Sequence, residues 1–316
     1  MNKFKKAVIV GIKESFLDAE SWQKIDGFVD SKVFVLPDST EMTDNLSDAD
    51  CLLLNFGVRI GKEDIDKAPR LKYIGVLATA YGKIDIEYAK EKGVIVSNLA
   101  GYSTNAVAEF VLAAVLGHIR QLEEGKRRGK QGNYSEAGMA ATEIRDKVFG
   151  IIGLGRIGGR VAELALGFGA YVRFFDKIRK PELEARGVKY EEADELISQA
   201  DFLSLHLPQN KETEGFLNAQ RIQLLKSGAV VINTAPAELV DINALAERLA
   251  KGDITFILDH SDEMRKEDLE RLSKYQNCII YPPIAYITAE ARIAKQRIFL
   301  KNIEGFLKGS PINTVS

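Results

Sequence analysis

The sequence predicts an α/β fold of two doubly wound parallel-sheet domains, Rossmann-like or flavodoxin-like, with a cleft between them. Short runs of consecutive Val, Ile and Leu alternate with longer stretches that have the apolar spacing of helices, as parallel strands covered on both faces require. This alternation occurs twice, before and after one long apolar helix, and 316 residues suit two domains of ordinary size.

The first series of elements precedes the long helix. Its strands are predicted at residues 7–12, 33–37, 51–56, 73–79 and 94–98. Residues 83–93 are typical of an amphipathic helix that ends at a C′ glycine, Gly93. The long helix is predicted at residues 103–128, and because its first turns are apolar almost all round, we expect them to be buried, in the core or in an interface.

The second series follows a predicted loop at residues 129–139. Its strands are predicted at residues 148–154, 171–176, 202–208, 229–235, 254–260 and 278–283. A last helix, residues 289–308, follows the final strand, and we expect it to return and pack on the first domain.

Composition and charge exclude several classes of protein. A net charge of −2 predicts neither a nucleic-acid surface nor a membrane-binding surface. No apolar run approaches the roughly 18 residues of a membrane span, and the apolar run after the first lysines is too short for a secretory signal, so we predict a cytoplasmic protein. Cys51 and Cys278 lie in strand-like runs and are expected to be buried free thiols, and no metal site is predicted.

The strongest local signal is Gly-x-Gly-x-x-Gly at Gly153, Gly155 and Gly158, which follows a predicted strand and opens a predicted helix. In a dinucleotide-binding turn the first glycine permits the bend, the second lets the pyrophosphate approach, and the third lets the helix pack on the strand. The helix N-terminus adds N–H groups and a positive dipole for the phosphates. This motif in this context predicts a dinucleotide site.

Asp176 ends the next predicted strand, near the spacing of roughly 20 residues expected for the acidic partner of the glycine motif. Its carboxylate would accept hydrogen bonds from the adenine ribose and repel a 2′-phosphate, which favours NAD over NADP. Lys177, Arg179 and Lys180 follow at once and could soften that preference.

Over nearly its whole length the chain resembles the D-2-hydroxyacid dehydrogenases, which include phosphoglycerate, glycerate and formate dehydrogenases. The resemblance is carried by the segments YSTNAVAEFVLAAVLG (102–117), DFLSLHLPQNKETEGFLN (201–218), LLKSGAVVINTA (224–235) and AKGDITFILD (250–259).

The resemblance implies a substrate domain of residues 1–101 plus 287–316, a Rossmann NAD-binding domain of residues 102–286, NAD as cofactor, and a homodimer built on the long helix. The positions implied to bind the cofactor are Thr104, Gly153, Gly155, Arg156, Ile157, Gly158, Asp176, His206, Pro208, Thr213, Thr234, Ala235, Pro236 and Asp259. Asp259 would hold the nicotinamide carboxamide. In the substrate loop, where Ala80 replaces the usual glycine, Ala80, Tyr81 and Gly82 are implied to contact a small-molecule substrate.

The family's catalytic residues are missing. Reduction of a 2-oxoacid needs a cation for the carboxylate, a general acid, and a carboxylate that orients the acid; the family uses Arg, His and Glu. Here Pro236 stands where the Arg follows Asn-Thr-Ala, Pro283 replaces the His, and Met264 lies near the Glu position, with Asp262 and Glu263 adjacent. Since the glycine motif is intact, we predict a retained NAD site beside a rebuilt or abandoned catalytic site.

Few other side chains offer acid–base chemistry. His260 is the weak candidate for catalysis, although alternation along its strand points it away from the Asp259 side. His118 is expected to pack and His206 to lie near the cofactor. The tyrosines that could line the cleft are Tyr81, Tyr134, Tyr281 and Tyr286.

Three hypotheses for function stay open. The first is an NAD-dependent oxidoreductase that acts on a small hydroxy or oxo compound with a non-standard catalytic set. The second is an inactive NAD(H)-binding sensor or interaction protein with a redox-dependent partner. The third is an enzyme that uses tightly bound NAD as an internal redox relay.

Overall fold

The computed structural model describes residues 2–259, 261 and 264–316, and the chain divides into two compact units. Unit 1 takes in the chain up to Ser103 and again from Thr288, and unit 2 comprises Thr104–Ile287. No described helix has the length and apolar character needed to cross a bilayer.

Helices and strands alternate through both units. The strands are β1 (Ala7–Val10), β2 (Lys32–Val35), β3 (Cys51–Leu54), β4 (Tyr73–Val76), β5 (Ile95–Ser97), β6 (Val148–Ile152), β7 (Tyr171–Phe175), β8 (Lys189–Tyr190), β9 (Phe202–Leu205), β10 (Val230–Asn233), β11 (Thr255–Leu258) and β12 (Cys278–Ile280). The helices are α1 (Ala19–Phe28), α2 (Thr40–Leu46), α3 (Lys62–Asp66), α4 (Ile86–Glu91), α5 (Thr104–Ile119), α6 (Leu122–Lys130), α7 (Arg156–Gly167), α8 (Pro181–Glu184), α9 (Ala193–Gln199), α10 (Ala219–Leu224), α11 (Ile242–Leu249), α12 (Lys266–Leu272) and α13 (Ala289–Leu307).

Both sheets are parallel and doubly wound, as the sequence predicts. In the described part of unit 1 the strand order is β2-β1-β3-β4-β5, the flavodoxin-like order. In the described part of unit 2 it is β12-β11-β10-β9-β6-β7-β8, so the chain starts in the middle at β6, runs outward to β8, and then returns to β9 on the other side of β6. The switch point of unit 2 therefore lies between β6 and β9.

Each of the large hydrophobic clusters lies within one unit. In unit 2, α5 and α7 cover one face of the sheet, with Val111 and Val161 packed near Ile151, and the opposite face buries Leu203 and Leu245 beside α9 and α11. Each such fully buried aliphatic side chain contributes roughly 1.5–3 kcal/mol to stability. Consecutive apolar residues along these strands are needed because both faces are covered.

The C-terminal helix α13 returns to unit 1, as predicted. Phe306 stacks on Phe4 with ring centroids 5.4 Å apart. The Nδ2 of Asn302 donates to the carbonyl of Asn98 at 2.8 Å. Unit 1 is thus completed by both ends of the chain.

The prediction of one helix over residues 103–128 is wrong, because α5 ends at Ile119 and α6 begins at Leu122. Gln121 between them is left-handed, with φ of 52°. Its N–H donates to the carbonyl of His118 at 2.9 Å, and its side-chain Oε1 accepts from the N–H of Ala140 at 3.1 Å. These contacts replace the regular helical bonds and turn the chain.

Other local predictions have mixed outcomes. Gly93 ends α4 with φ of +72°, and Cys51 and Cys278 are buried free thiols, all as predicted. Burial raises the pKa of the Cys278 thiol to about 12. Strand β8 was not predicted, since two residues carry no detectable periodicity.

Candidate functional site

The candidate site is the carboxyl edge of the sheet in unit 2, where parallel strands end side by side. The sheet order brings the residues that follow neighbouring strands into one row: Asp176 after β7, Gly153 after β6, His206 after β9, Thr234 after β10, Asp259 after β11 and Pro283 beyond β12. Doubly wound folds bind ligands at this edge, at the switch point of the sheet.

Gly153 makes the turn that leaves β6. Its φ is +94°, and a Cβ added there would lie 2.9 Å from the backbone carbonyl carbon and oxygen of His206. Its N–H donates to the carbonyl of Phe175 at 2.8 Å. The turn is therefore fixed against both neighbours of β6, and only glycine fits it.

Gly155 and Gly158 differ in the space around them. A Cβ on Gly158 would lie 2.0 Å from the carbonyl oxygen of Gly153, so α7 packs directly against the turn. A Cβ on Gly155, the N-cap of α7, would meet nothing within 4 Å. That open space lies before a helix N-terminus, where N–H groups lack intrahelical acceptors and favour an anion. The next residues differ in burial, with Arg156 exposed and Ile157 half-buried against the core.

Asp176 closes the glycine turn from the side of β7. Its Oδ2 accepts from the N–H of Leu154 at 2.6 Å, and its Oδ1 accepts from the N–H of Ile178 at 3.1 Å. The carboxylate is only half-buried, so its remaining lone pairs are accessible. Of the bases that follow it, Lys177 pairs with Glu212 and Arg179 pairs with Glu184, and sequence reasoning missed both glutamates.

The segment after β9 is held by a network of short-range hydrogen bonds. The N–H of His206 donates to the carbonyl of Ile152 at 2.7 Å, and its Nε2 lies 2.7 Å from Ser204 Oγ. Although His206 keeps some exposed surface, burial of the imidazole lowers its pKa to about 3. In the turn that follows, Thr213 donates from Oγ1 to the carbonyl of the exposed Pro208 at 2.6 Å. Because its pKa is lowered, the imidazole of His206 is neutral near pH 7 and suited to a positioning role.

The segment after β10 carries Thr234, Ala235 and Pro236. The side chain of Asn233 organises it, with Oδ1 accepting from the N–H of Ala235 at 3.0 Å and Nδ2 donating to the carbonyl of Pro236 at 3.4 Å. Thr234 Oγ1 is one of the few buried side-chain polar atoms in the described residues without a hydrogen-bond partner. A buried hydroxyl of this kind normally has a partner, so it fits a ligand group at this strand end.

Asp259 holds the loop that contains Pro283. Its Oδ1 accepts from the N–H groups of Ile284 at 2.9 Å and Ala285 at 3.1 Å. Asp259 is 1% exposed, so these bonds are shielded from water. Pro283, which the sequence predicts to replace the family's histidine, is half-buried and offers no group that could titrate.

Met264, which the sequence predicts to lie near the family's glutamate position, packs its side chain against the hydrophobic core. It lines a small apolar cavity with Ala237, Val240 and Leu258. A carboxylate in this place would lose its hydration, whereas the thioether fills the space. The adjacent candidates His260, Asp262 and Glu263 lie outside the described residues.

In unit 1 the predicted substrate loop follows β4. Ala80, Tyr81 and Gly82 are exposed, and the carbonyl of Tyr81 accepts from the N–H of Ile84 at 3.0 Å. The base of the loop is fixed by Asn98, whose Nδ2 donates to the carbonyl of Thr79 at 2.6 Å. The loop therefore presents backbone groups from a rigid base.

The remaining candidates have different surroundings. His118 is half-buried in α5, and burial lowers its pKa. Tyr134 is 87% exposed, and Tyr281 packs edge-on against Phe110 with ring centroids 5.4 Å apart. Tyr286 is 39% exposed. Thr104 is the first residue of α5.

The residues of this edge fit a dinucleotide on three structural grounds. The space beside Gly155 is open, the carboxylate of Asp176 lies at the glycine turn, and the hydroxyl of Thr234 is buried without a protein partner among the described residues.

Comparisons with known proteins agree with this description. Residues 112–285, more than half of the chain, match the family described as D-isomer specific 2-hydroxyacid dehydrogenase, NAD binding domain. A hydroxypyruvate reductase from Blautia hydrogenotrophica is 35% identical, with 89% of each chain covered. A glyoxylate reductase from Thermococcus litoralis is 33% identical, with 97% of this chain and 93% of the relative covered.

Solved structures show the same fold. An acyclic imino acid reductase in complex with NADPH and D-Arg has a TM-score of 0.87 and 31% identity, with 98% of this chain and 100% of that chain covered. A D-lactate dehydrogenase from Aquifex aeolicus, complexed with NAD and lactic acid, has a TM-score of 0.85 and 29% identity, with 96% of each chain covered. NAD is the cofactor of the domain matched here.

Proposed function

Because the chain belongs to the D-isomer specific 2-hydroxyacid dehydrogenase family, we propose that it is an NAD(H)-dependent oxidoreductase with a non-standard catalytic set. Its substrate is a small hydroxy or oxo compound. When bound, the dinucleotide supplies or accepts the hydride, and residues of the chain orient it. Asp176 holds the adenosine end, the turn at Gly155 holds the pyrophosphate, and Thr234 and Asp259 lie on the nicotinamide side.

One observation carries the non-standard part of the proposal. The strand ends that would carry the guanidinium and the imidazole carry Pro236 and Pro283, and Met264 is packed into an apolar cavity. None of these side chains can hold a carboxylate, polarise a carbonyl or donate a proton. A substrate that needs its carboxylate held, its carbonyl polarised and a proton donated is therefore a poor substrate for this chain.

A cationic imine is a second candidate substrate, favoured by the same observation. A protonated C=N bond needs no proton donor, since hydride adds to the carbon while the π electron pair moves to a nitrogen that already carries its proton. The similar structure solved as an acyclic imino acid reductase supports this candidate. Glyoxylate and hydroxypyruvate, named for the similar reductases, are 2-oxoacids and serve as the reference substrates for comparison.

The test is NADH oxidation by the full chain with glyoxylate, hydroxypyruvate, neutral aldehydes and ketones, and oxoacid–amine mixtures that form imines. Turnover on neutral carbonyls or on imine mixtures, well above that on oxoacids alone, supports the proposal. Tight NADH binding without turnover on any of them favours the inactive sensor. NAD that stays bound through gel filtration favours the internal redox relay.

Restoring the family residues tests the pocket separately. The double variant Pro236→Arg, Pro283→His is expected to gain at least about tenfold in kcat/KM on a 2-oxoacid, because it returns the cation and the general acid. The control Pro236→Ala, Pro283→Ala removes the same prolines and should gain nothing. Equal gains in both variants would show that backbone relaxation, and not the returned groups, was responsible.

We further propose that unit 1 binds substrate through the backbone of Ala80, Tyr81 and Gly82, that the chain forms a homodimer on α5, and that it works in the cytoplasm. Half-exposed apolar side chains on α5, Phe110 and Leu116, support the dimer. Sedimentation at micromolar concentration tests it directly.

A further inference from the structure

The three residues after Asp176 include two bases that would be the natural partners of an NADP 2′-phosphate. Lys177 and Arg179 stand one and three positions beyond the carboxylate that closes the glycine turn. Free cations at this place would offset the repulsion that Asp176 exerts on a phosphate. Selectivity therefore depends on what these two side chains contact.

Lys177 is engaged by Glu212, which lies in the loop after β9. This loop presents the glutamate from a fixed turn, since the N–H of Glu212 donates to Asn210 Oδ1 at 2.9 Å. The end of β7 and the loop after β9 also meet through Phe175 and Phe216, with ring centroids 5.8 Å apart. Because β6 lies between β7 and β9, the ion pair joins the loops on either side of the glycine turn.

Arg179 is engaged by Glu184 of α8, with Nε donating to Oε1 at 2.8 Å and Nη2 donating to Oε2. Its guanidinium also lies over the ring of Tyr190, 4.6 Å from the centroid. The guanidinium lowers the pKa of Glu184, which keeps that carboxylate charged. A bidentate pair with a stacked ring fixes an arginine far better than one contact does.

We propose that Glu212 and Glu184 are specificity-determining residues, which hold Lys177 and Arg179 away from a 2′-phosphate and so make the chain selective for NAD(H) over NADP(H). This rests on the proposed NAD(H)-dependent function, because Asp176 must lie at the adenosine ribose. Lys180, the third base, is not paired with either glutamate and is unchanged in every variant below. Exposed ion pairs are individually weak, so each glutamate sets part of the preference.

The experiment measures dissociation constants of NADH and NADPH by fluorescence titration of the full chain. Wild type is expected to bind NADH at least about tenfold more tightly than NADPH. Glu212→Gln and Glu184→Gln should each tighten NADPH binding by about threefold to tenfold, with NADH binding little changed, and the double variant should exceed either one. The gain should shrink at high ionic strength.

Glu182→Gln is the matched control. Glu182 is exposed on α8, the helix that carries Glu184, and its substitution removes the same charge without releasing Arg179. An equal gain in NADPH affinity in this variant would overturn the proposal, because it would show that the lower net negative charge alone is responsible. Unchanged NADPH affinity in the double variant, or wild type that binds both cofactors equally, would also overturn it while leaving the proposed function intact. Binding of neither cofactor would reject the proposed function itself.

Discussion

At the scale of single residues, function depends on what each position excludes. Gly158 excludes any side chain because the turn lies against it, whereas the space beside Gly155 stays open for a ligand. Pro236 and Pro283 exclude charge and proton transfer from two strand ends. Thr234, at the same end of β10 as Pro236, and Asp259, at the end of β11, have polar groups that suit a bound dinucleotide.

Gly158→Ala should lower the free energy of unfolding by about 1–3 kcal/mol or more, since a Cβ would lie 2.0 Å from a backbone oxygen that cannot move freely. Gly155→Ala is the control: it should leave the free energy of unfolding nearly unchanged and weaken NADH binding, because its methyl group enters the open space. Urea unfolding and NADH titration measure both. Equal losses of unfolding free energy in the two variants would contradict the prediction, because they would show that Gly155 and Gly158 are equally crowded.

His206 should make the stability of the chain depend on pH. Its folded pKa of about 3 lies below the unfolded value of about 6.5, so the unfolded state binds the extra proton. The contribution of His206 to the free energy of unfolding is therefore fully present above about pH 6.5. It falls by up to about 1.4 kcal/mol per pH unit as the pH drops towards 3. Urea unfolding of wild type and His206→Gln between about pH 7 and pH 5 measures this, and parallel pH slopes would contradict it.

At the scale of elements, the polar groups at the ends of strands carry the chemistry, and side-chain hydrogen bonds, both local and long-range, fix the segments that contain them. Asn233 organises the segment after β10, and Asp259 joins the end of β11 to the loop after β12. The left-handed Gln121 separates α5 from α6, which lets the second helix leave the core. Such positions set the direction of a segment without changing its periodicity.

Asp259→Ala should loosen the loop at residues 281–287. The N–H of Ala285, which is buried, loses its acceptor at a cost of about 1–3 kcal/mol, while that of Ile284 can turn to water. Faster hydrogen exchange confined to this loop is the expected readout. Asp259→Asn keeps one acceptor oxygen and should exchange more slowly than the alanine variant; identical exchange in both would contradict the assignment.

At the scale of the molecule, the chain leaves one unit, builds the other and returns. Unit 2 is continuous from Thr104 to Ile287, and the clusters that fill it contain residues of this unit alone. Unit 1 needs both chain ends, as the stacking of Phe4 on Phe306 shows. A continuous segment with its own core can fold alone.

A fragment of residues 104–287 should therefore fold cooperatively and bind NADH within about tenfold of the full chain. Circular dichroism melting and NADH fluorescence titration measure this. The matching fragment of residues 1–103 lacks α13 and should not unfold cooperatively. A cooperative melt of that shorter fragment would mean that α13 is dispensable for unit 1.

Local patterns made much of this predictable. The runs of Val, Ile and Leu predicted the strands, and Gly153, Gly155 and Gly158 predicted the turn, because backbone sterics act over a few residues. The predicted strands ran too long at their carboxyl ends, since apolar residues continue past the last ladder bond; residues 202–208 shorten to Phe202–Leu205. The split of the long helix at Gln121 escaped detection because its partner Ala140 lies far along the chain.

The sequence by itself determined the fold class, the family, the glycine turn and the prolines beyond two strand ends, because these follow from residue identity and short spacings. Only the tertiary structure decided which groups meet. It paired Lys177 with Glu212 and Arg179 with Glu184. It also hydrogen-bonded Asp259 to the loop after β12, and it left the Thr234 hydroxyl buried without a partner among the described residues. The physical reason is that hydrogen bonds and ion pairs act over a few ångströms, and it is the order of strands in the sheet that brings distant residues within that range.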